Sequence, residues 1–429
     1  MKKILIICYD FPPLPSVGAQ RPSAWFKHFP SNDIYPIVIT RKWKENITNV
    51  ADYFQKDSDH DEFIEHSSSL LIRSCYKGSV KQKLFNSNNP FKRILRKSIT
   101  LTEHVFRWHI PLLDETHFLY KAAKKYLTHN SVDLILVTGQ PFTLFKYAYK
   151  LSQQFNVPYV IDYRDGWATD HAIPHPILKI LAFQEKVLEQ KYVSSASLCC
   201  AASENINIEN NKLFPNTKSI THENGIDLKL IEKLKKETAV NQQEFTICYT
   251  GSLYDQHNVS DFLKGIDLLI NKIPNAQLKV KFIGITLKPS SNIQLIKEFQ
   301  KKHPKTIEII DTISHAEAIK AQLSSTLLLK FDYTGQHLGL LGAKLYEYAA
   351  TKRPILTVLS IENKQTTFFP NRNVQYMVTN KHEICNTIEN LYHNFIEGRI
   401  IESDLTQEEI YSFSREKRVS DFASVLKKI

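Results

Sequence analysis

The stretch GLLGAKLYEYAATKRPIL, residues 339–356, sets two glycines, a lysine and a glutamate at the mouth of a helix. Backbone amides around Leu341 and Gly342, at a helix start, attract phosphate oxygens. Lys344 adds a full positive charge. Glu347, one turn on, shares its side of the helix and can accept two hydroxyl bonds from a ribose. The same spacing also suits a plain i, i+3 ion pair between Lys344 and Glu347. Three further pieces favour phosphate and ribose: NGID at 224–227, RPIL at 353–356, and YTGSLY, which places Gly251 and Ser252 just past an apolar run. A glycine there lets the backbone approach a ligand closely. After Gly251 the nearby cationic candidates are His257 and Lys264, and Lys344 is a third candidate for the phosphate charge.

The first half of the chain offers a second constellation, DYRDGWATDH, in which Asp162, Arg164, Asp165 and His171 crowd one strand end. Trp167 is of a type that stacks on a sugar or lines a cleft. Arg164 and Asp165 fit either chemistry or a structural ion pair that fixes a loop. Arg21 fits either contact with an acceptor phosphate or capping of its own helix. DSDHD, residues 57–61, resembles a metal-binding aspartate motif, but no buried strand precedes it, and it reads as an exposed loop. No metal and no cofactor are expected, which leaves leaving-group charge to amides, a helix dipole and Lys or Arg.

These residues need a scaffold that gathers strand ends. KKILIICYDFPPLPSVGAQR reads as a buried strand running into a Pro- and Gly-marked loop, with a helix over RPSAWFKHF. IYPIVITRK, VDLILVTG and VPYVIDYRDGW are further strands, with helices over HFLYKAAKKYLTH and PFTLFKYAYKLSQQFN. Trp43 to Ser69 reads as polar and irregular. A second series, FTICYTGSLY, KVKFIG, IEIID, STLLLKF, RPILTVL and VQYMVT, follows a charged helix in THENGIDLKLIEKLKKE. Strand–helix alternation predicts parallel sheets covered on both faces, which bind ligands beyond the carboxyl ends of their strands. Gly18, Gln140, Asp162, Arg164 and Asp165 sit at such ends. The fold class is therefore α/β, with two doubly wound domains crossing near residues 215–240 and a last helix over YSFSREKRVSDFASVLKKI. With 429 residues, two cores of about 200 residues each are expected.

Hydrophobic content of 42% and charged content of 23% are those of a globular chain. No leader peptide and no spanning segment is read, and the cysteines, outside any CxxC spacing, point to a cytosolic compartment. The net charge of +11 is concentrated between Arg73 and Arg107, where nine Lys or Arg face one acid, Glu103. Lys92, Arg93, Arg96 and Lys97 fall in FKRILRKSITL, which can form a basic amphipathic helix on an anionic membrane surface, or a solvated helix packed on its own domain. Nucleic acid is not expected as a partner, since the charge lies in one segment and no binding module is recognisable.

Taken together, YDFPPLPSVGAQRPSAWFKHF, DLILVTGQPF, VIDYRDGW, ENGID, YTGSLY, GAKLYEYAATKRPIL and FSREKRVSDFASVL resemble, in order and spacing, the family 4-like glycosyltransferases of GT-B architecture. The resemblance covers nearly the whole chain. It implies two Rossmann-like domains facing a cleft: residues 1–220 on the acceptor side, residues 221–410 holding a nucleotide-sugar, and a tail, 411–429, crossing back to the first. It implies a retaining transfer from a nucleoside diphosphate sugar to a glycan acceptor, polyprenyl-diphosphate-linked, in surface polysaccharide assembly at the inner face of the cytoplasmic membrane. Donor binding then falls to Gly251, Ser252, Leu341, Gly342, Lys344 and Glu347, the reacting centre to Gly18, Arg164 and Asp165, and the acceptor side to Arg21, Trp167 and His171. The chain departs from the family at Gly339, where the first of two glutamates eight residues apart usually stands. Two other readings stay open here: a nucleotide-sugar epimerase of the same architecture, and a non-catalytic donor-binding subunit.

Overall fold

The computed structural model describes residues 1–14, 16–43, 60–77, 95, 102, 106–167, 176–287, 289–332, 343–359, 374–399 and 401–429. They divide into two compact units, 1–224 with 416–429 and 225–415. The sequence reading had set the crossings at 220/221 and 410/411.

The first unit is built on an eight-stranded sheet of order β3-β4-β2-β1-β5-β6-β7-β8. The strands are β1 (Lys2–Ile7), β2 (Ile34–Arg41), β3 (Glu62–His66), β4 (Ser69–Ser74), β5 (Leu134–Gly139), β6 (Tyr159–Tyr163), β7 (Leu198–Ala201) and β8 (Ser219–Thr221). All pairings are parallel except β3 with β4. Ile4, Leu5, Ile6 and Ile7 are fully buried, because helices cover both faces and no polar alternation is needed. Its helices are α1 (Val17–His28), α2 (His117–His129), α3 (Thr143–Phe155), α4 (Pro176–Val193) and α5 (Glu204–Leu213).

The second unit has a six-stranded, all-parallel sheet of order β11-β10-β9-β12-β13-β14. These are β9 (Phe245–Thr250), β10 (Leu278–Ile283), β11 (Ile307–Ile310), β12 (Leu327–Phe331), β13 (Ile355–Val358) and β14 (Gln375–Val378). Phe245, Ile247 and Tyr249 of β9 enter one core while Cys248 enters another, the period-2 signature of a sheet packed on both sides. Its helices are α6 (Leu228–Glu237), α7 (Val259–Lys272), α8 (Ser291–Lys302), α9 (His315–Ser324), α10 (Ala343–Thr351), α11 (Lys381–Ile396) and α12 (Gln407–Ser412).

The tail carries the expected last helix, preceded by the short α12, which ends at Ser412. After α12, α13 (Arg415–Leu426) begins past a break at Phe413–Ser414. From Glu416 the chain counts with the first unit, where Val419, Phe422, Ala423 and Leu426 join the core of Ile4, Ile6 and Trp25. The entry and exit of the second unit touch: Ile226 N–H donates to Phe413 O at 2.9 Å and Arg415 N–H to Ile226 O at 2.9 Å. A Cβ on Gly225 would come within 2.6 Å of the Arg415 backbone, so the approach requires glycine there.

The polar stretch 43–69 is not wholly irregular, since β3 lies within it. Its Glu62, Phe63 and Glu65 are turned partly or wholly to solvent at the sheet edge, which is why EFIEH does not look like a buried strand. All six cysteines are buried and unbridged.

Candidate functional site

In the second unit the sheet order reverses between β9 and β12, the place where open α/β sheets hold ligands. There β9 ends and Gly251 turns with φ of +100°. A Cβ on it would fall 2.9 Å from Lys344 Nζ, so glycine is required by both conformation and space. Gly284, at φ +73°, does the same after β10, and a Cβ on it would lie 3.9 Å from the Gly251 backbone. Sequence reading missed Gly284, although KVKFIG carries the same glycine-after-strand signal.

Lys344, in the first turn of α10, rests its Nζ 4.5 Å from the Tyr249 ring centroid. Among the described residues no carboxylate lies within ion-pairing distance of it, so the i, i+3 pair with Glu347 does not form. Burial pulls its ammonium down to about 8, with Glu347 opposing and Lys330 adding to the fall. It is a cation without a counter-ion among the described residues, which is what an incoming anion meets most favourably.

Glu347 takes other partners. Its Oε2 lies 2.6 Å from His315 Nε2, and its Oε1 accepts from Gln322 Nε2 at 2.8 Å. Burial raises the carboxyl, but the His315 bond and charge, the Gln322 bond and Lys344 together hold it below the usual range. The same bond raises His315. Gln322 is fully buried and also reaches Thr250 Oγ1 at 3.3 Å, while Thr250 N–H donates to Tyr348 Oη at 3.1 Å. The end of β9, α9 and α10 are thereby locked around Glu347. Ser252 is held through its carbonyl, which accepts from Tyr249 Oη at 2.7 Å.

The two other cationic candidates are corrected. His257 is buried and stacks on Phe331 at 5.7 Å; burial, then Lys344 and Lys330, lower it to about 4, so it is neutral wall near pH 7. Lys264 stands well exposed on α7 with its Nζ 3.9 Å from Asp261.

In the first unit the sheet reverses between β1 and β5, and the predicted residues there mostly hold one another. Ser16 caps α1, accepting from Ala19 N–H at 3.1 Å, and its hydroxyl donates to Asp10 at 3.3 Å. Arg164 pairs with Asp10 at 3.3 Å, not with Asp165, and donates to the carbonyls of Gly139 and Gln140. A Cβ on Gly18 would overlap the Arg164 guanidinium and the Asp10 carboxylate. Gly18 is therefore the space this pair occupies. Asp165 is exposed past β6.

Arg21 is not on the surface. It is 5% exposed and bonded to Asp162 through two nitrogens, to His222 O and to Asn224 Oδ1. An acceptor phosphate does not reach it, and Asp162, fully buried and also accepting from Thr138, is equally enclosed. Trp167 is likewise interior, at 1% exposure between Trp108 and Phe142, with its Nε1 donating to Glu185 at 3.2 Å; no ring face is left for a sugar. Residue type does not tell inward from outward, and here Arg21 on α1 and Trp167 past β6 both turn inward.

Leu341, Gly342 and the departure at Gly339 lie outside the described residues, as do His171, Lys92, Arg93, Arg96, Lys97 and most of the 57–61 motif. Asp61 is described and accepts from Ser74 Oγ and Cys75 N–H. Among the described residues no three His, Cys, Asp or Glu are grouped to hold a metal ion, and no helix is long and apolar enough to cross a membrane.

Two doubly wound units exchanging a terminal helix define the GT-B fold, and solved structures share it along their whole length. Sucrose-phosphate synthase from Thermosynechococcus elongatus aligns over 100% of this chain and 99% of its own, at 12% identity and a TM-score of 0.63. A glycosyltransferase from Rickettsia africae aligns over 100% and 98%, at 14% identity and 0.59. Anabaena HepE, solved in complex with UDP-glucose, aligns over 100% of both chains at 13% identity and 0.58. No protein-family profile and no curated protein matches the sequence.

Proposed function

We propose that the chain is a glycosyltransferase that moves a sugar from a nucleoside diphosphate sugar to a glycan acceptor. The observation that carries this reading is Lys344, a cation with no carboxylate partner among the described residues, set against the bare backbone of Gly251, with Glu347 one turn away. In it, Lys344 with Leu341 and Gly342 receives the diphosphate, and Glu347 accepts the ribose hydroxyls. Gly251 and Ser252 admit the donor, with no metal and no cofactor needed. Solved structures of the same fold with UDP-glucose bound lend the donor class its support.

The finer parts rest on the family resemblance for retention of configuration, Gly18 at the reacting centre and a polyprenyl-diphosphate-linked acceptor in surface polysaccharide assembly, and on the charged end of β6 for Arg164 and Asp165 beside Gly18. His171 is kept on the acceptor side; Arg21 and Trp167 are withdrawn from it by their burial. The cationic run with Lys92, Arg93, Arg96 and Lys97 would hold the enzyme peripherally on the inner leaflet. An epimerase needs free acid–base carboxylates about the sugar, and the enclosure of Asp162 by Arg21 removes one.

A thermal-shift panel of nucleoside diphosphates and diphospho-sugars, on the wild type and on Glu347→Ala, tests the reading. One nucleotide series is expected to raise the midpoint, with the rise lost in the variant. No shift with any nucleotide would remove the donor site and the reading with it.

A further inference from the structure

Helix α4 divides its charges by sign. Over 183–193, where its side chains are described, it has two acids and both point inward. Glu185 accepts from Arg107 at 2.9 Å and from Trp167, and Glu189 accepts from the Tyr163 hydroxyl at 2.8 Å. Each is 2% exposed. The helix turns outward Phe183, Lys186, Val187, Gln190 and Lys191, a continuous i, i+3, i+4, i+7, i+8 stripe. Phe183 is 71% exposed and Val187 51%. A surface helix normally shows its polar stripe to water and its apolar stripe to the core; here aromatic, aliphatic and cationic side chains share the outer one.

The neighbouring turn repeats the pattern. Arg107 ties it to α4 through Glu185, and in FRWHIP the exposed side chains include Phe106 and Ile110. Neither element presents a carboxylate to solvent among its described side chains. In sequence the turn is entered directly from the run that carries nine Lys or Arg and one acid between Arg73 and Arg107.

We infer that this face, centred on Phe183, Lys186, Val187 and Lys191, docks the protein on an anionic lipid bilayer, with the exposed Phe106 and Ile110 belonging to the turn that Arg107 ties to the same helix. Apolar side chains enter the boundary between headgroups and acyl chains, and lysines lay their stems along it with their ammoniums at the phosphates. The absence of outward acids on both elements matches a partner of one sign. The inference builds on the membrane-side reading above but uses residues separate from Lys92, Arg93, Arg96 and Lys97.

The test is co-sedimentation of the full chain with vesicles of mixed phosphatidylglycerol and phosphatidylcholine, and with phosphatidylcholine alone. The wild type is expected to sediment with the anionic vesicles only. Replacing Phe183 and Val187 together by Ser should lower the bound fraction several-fold. Replacing Lys186 and Lys191 by Gln should weaken binding about fivefold per lysine at low salt. Thermal midpoints and nucleotide stabilisation should stay as in the wild type, which separates loss of docking from loss of fold. Unchanged sedimentation of both variants overturns the inference, as does equal binding to phosphatidylcholine. A wild-type dimer that the Ser variant dissociates also overturns it, because a second copy would then cover the face. Vesicle binding that persists in a protein no nucleotide stabilises would count against the donor site and not against this face.

Discussion

The two units share a topology and reverse their sheets at equivalent places, yet they treat charge in opposite ways. At the β1/β5 reversal of the first, Arg164 is held by Asp10 and two carbonyls, and Arg21 by Asp162 and two oxygens. At the β9/β12 reversal of the second, Lys344 has an aromatic ring beside it and no paired carboxylate among the described residues, and Glu347 is held by neutral Gln322 and the half-exposed His315. A charge whose bonds are filled internally fixes loops; one left incomplete, at a glycine-lined strand end, has capacity for a ligand. The contrast, more than either cluster alone, directs the ligand search to the second unit.

That contrast can be broken most forcefully at Asp162. Asp162→Ala strands the buried Arg21 guanidinium and should cost about 3–5 kcal/mol in chemical unfolding. Nucleotide affinity of whatever protein remains folded is expected to be unchanged; a selective loss of affinity would move the donor site. Lys344→Ala is the mirror experiment. It should lower diphosphate affinity by calorimetry by about 1.5–3 kcal/mol, the range for bonds to charged groups, and leave the unfolding midpoint no lower, because it removes a buried cation that no described carboxylate pairs with. Gly18→Ala should destabilise by about 1–3 kcal/mol by crowding Arg164 and Asp10, read as a lower melting temperature with nucleotide affinity intact.

The smallest effect is a pH dependence. Lys344 titrates near 8 when folded, against an ordinary 10.5. Between those values the unfolded chain binds more protons, so this residue makes stability rise with pH there. Diphosphate binding has the opposite sign and should weaken as pH rises through about 8, a slope that Lys344→Ala should flatten. His315 adds a term in the other direction: its pKa is raised by Glu347, so the bond it contributes is in full force below the ordinary histidine value and is lost as pH climbs through the raised one.

Much of this was legible in the sequence because runs such as FTICYT and LILVTG are buried on both faces and announce themselves by composition. β3 did not, because half of it faces water, nor did β7 and β8, which have four and three residues. At the site, Gly251, Lys344 and Glu347 could be read from a glycine after a strand and a helix start. The partners of Glu347 could not: Gln322 and His315 lie 25 and 32 positions earlier on another helix, and only packing brings them together. Arg21 and Trp167 were misplaced for the same reason, since their types suit a ligand and a core equally well.

The backbone contact of Ile226 with Phe413 and Arg415 means that the second unit begins and ends at one spot. It is a cassette: a contiguous piece whose two ends are already joined, so 225–415 can be excised or exchanged by cutting at a single seam. Gly225 is the stitch, and a bulkier residue there would prise apart both strands of the seam at once.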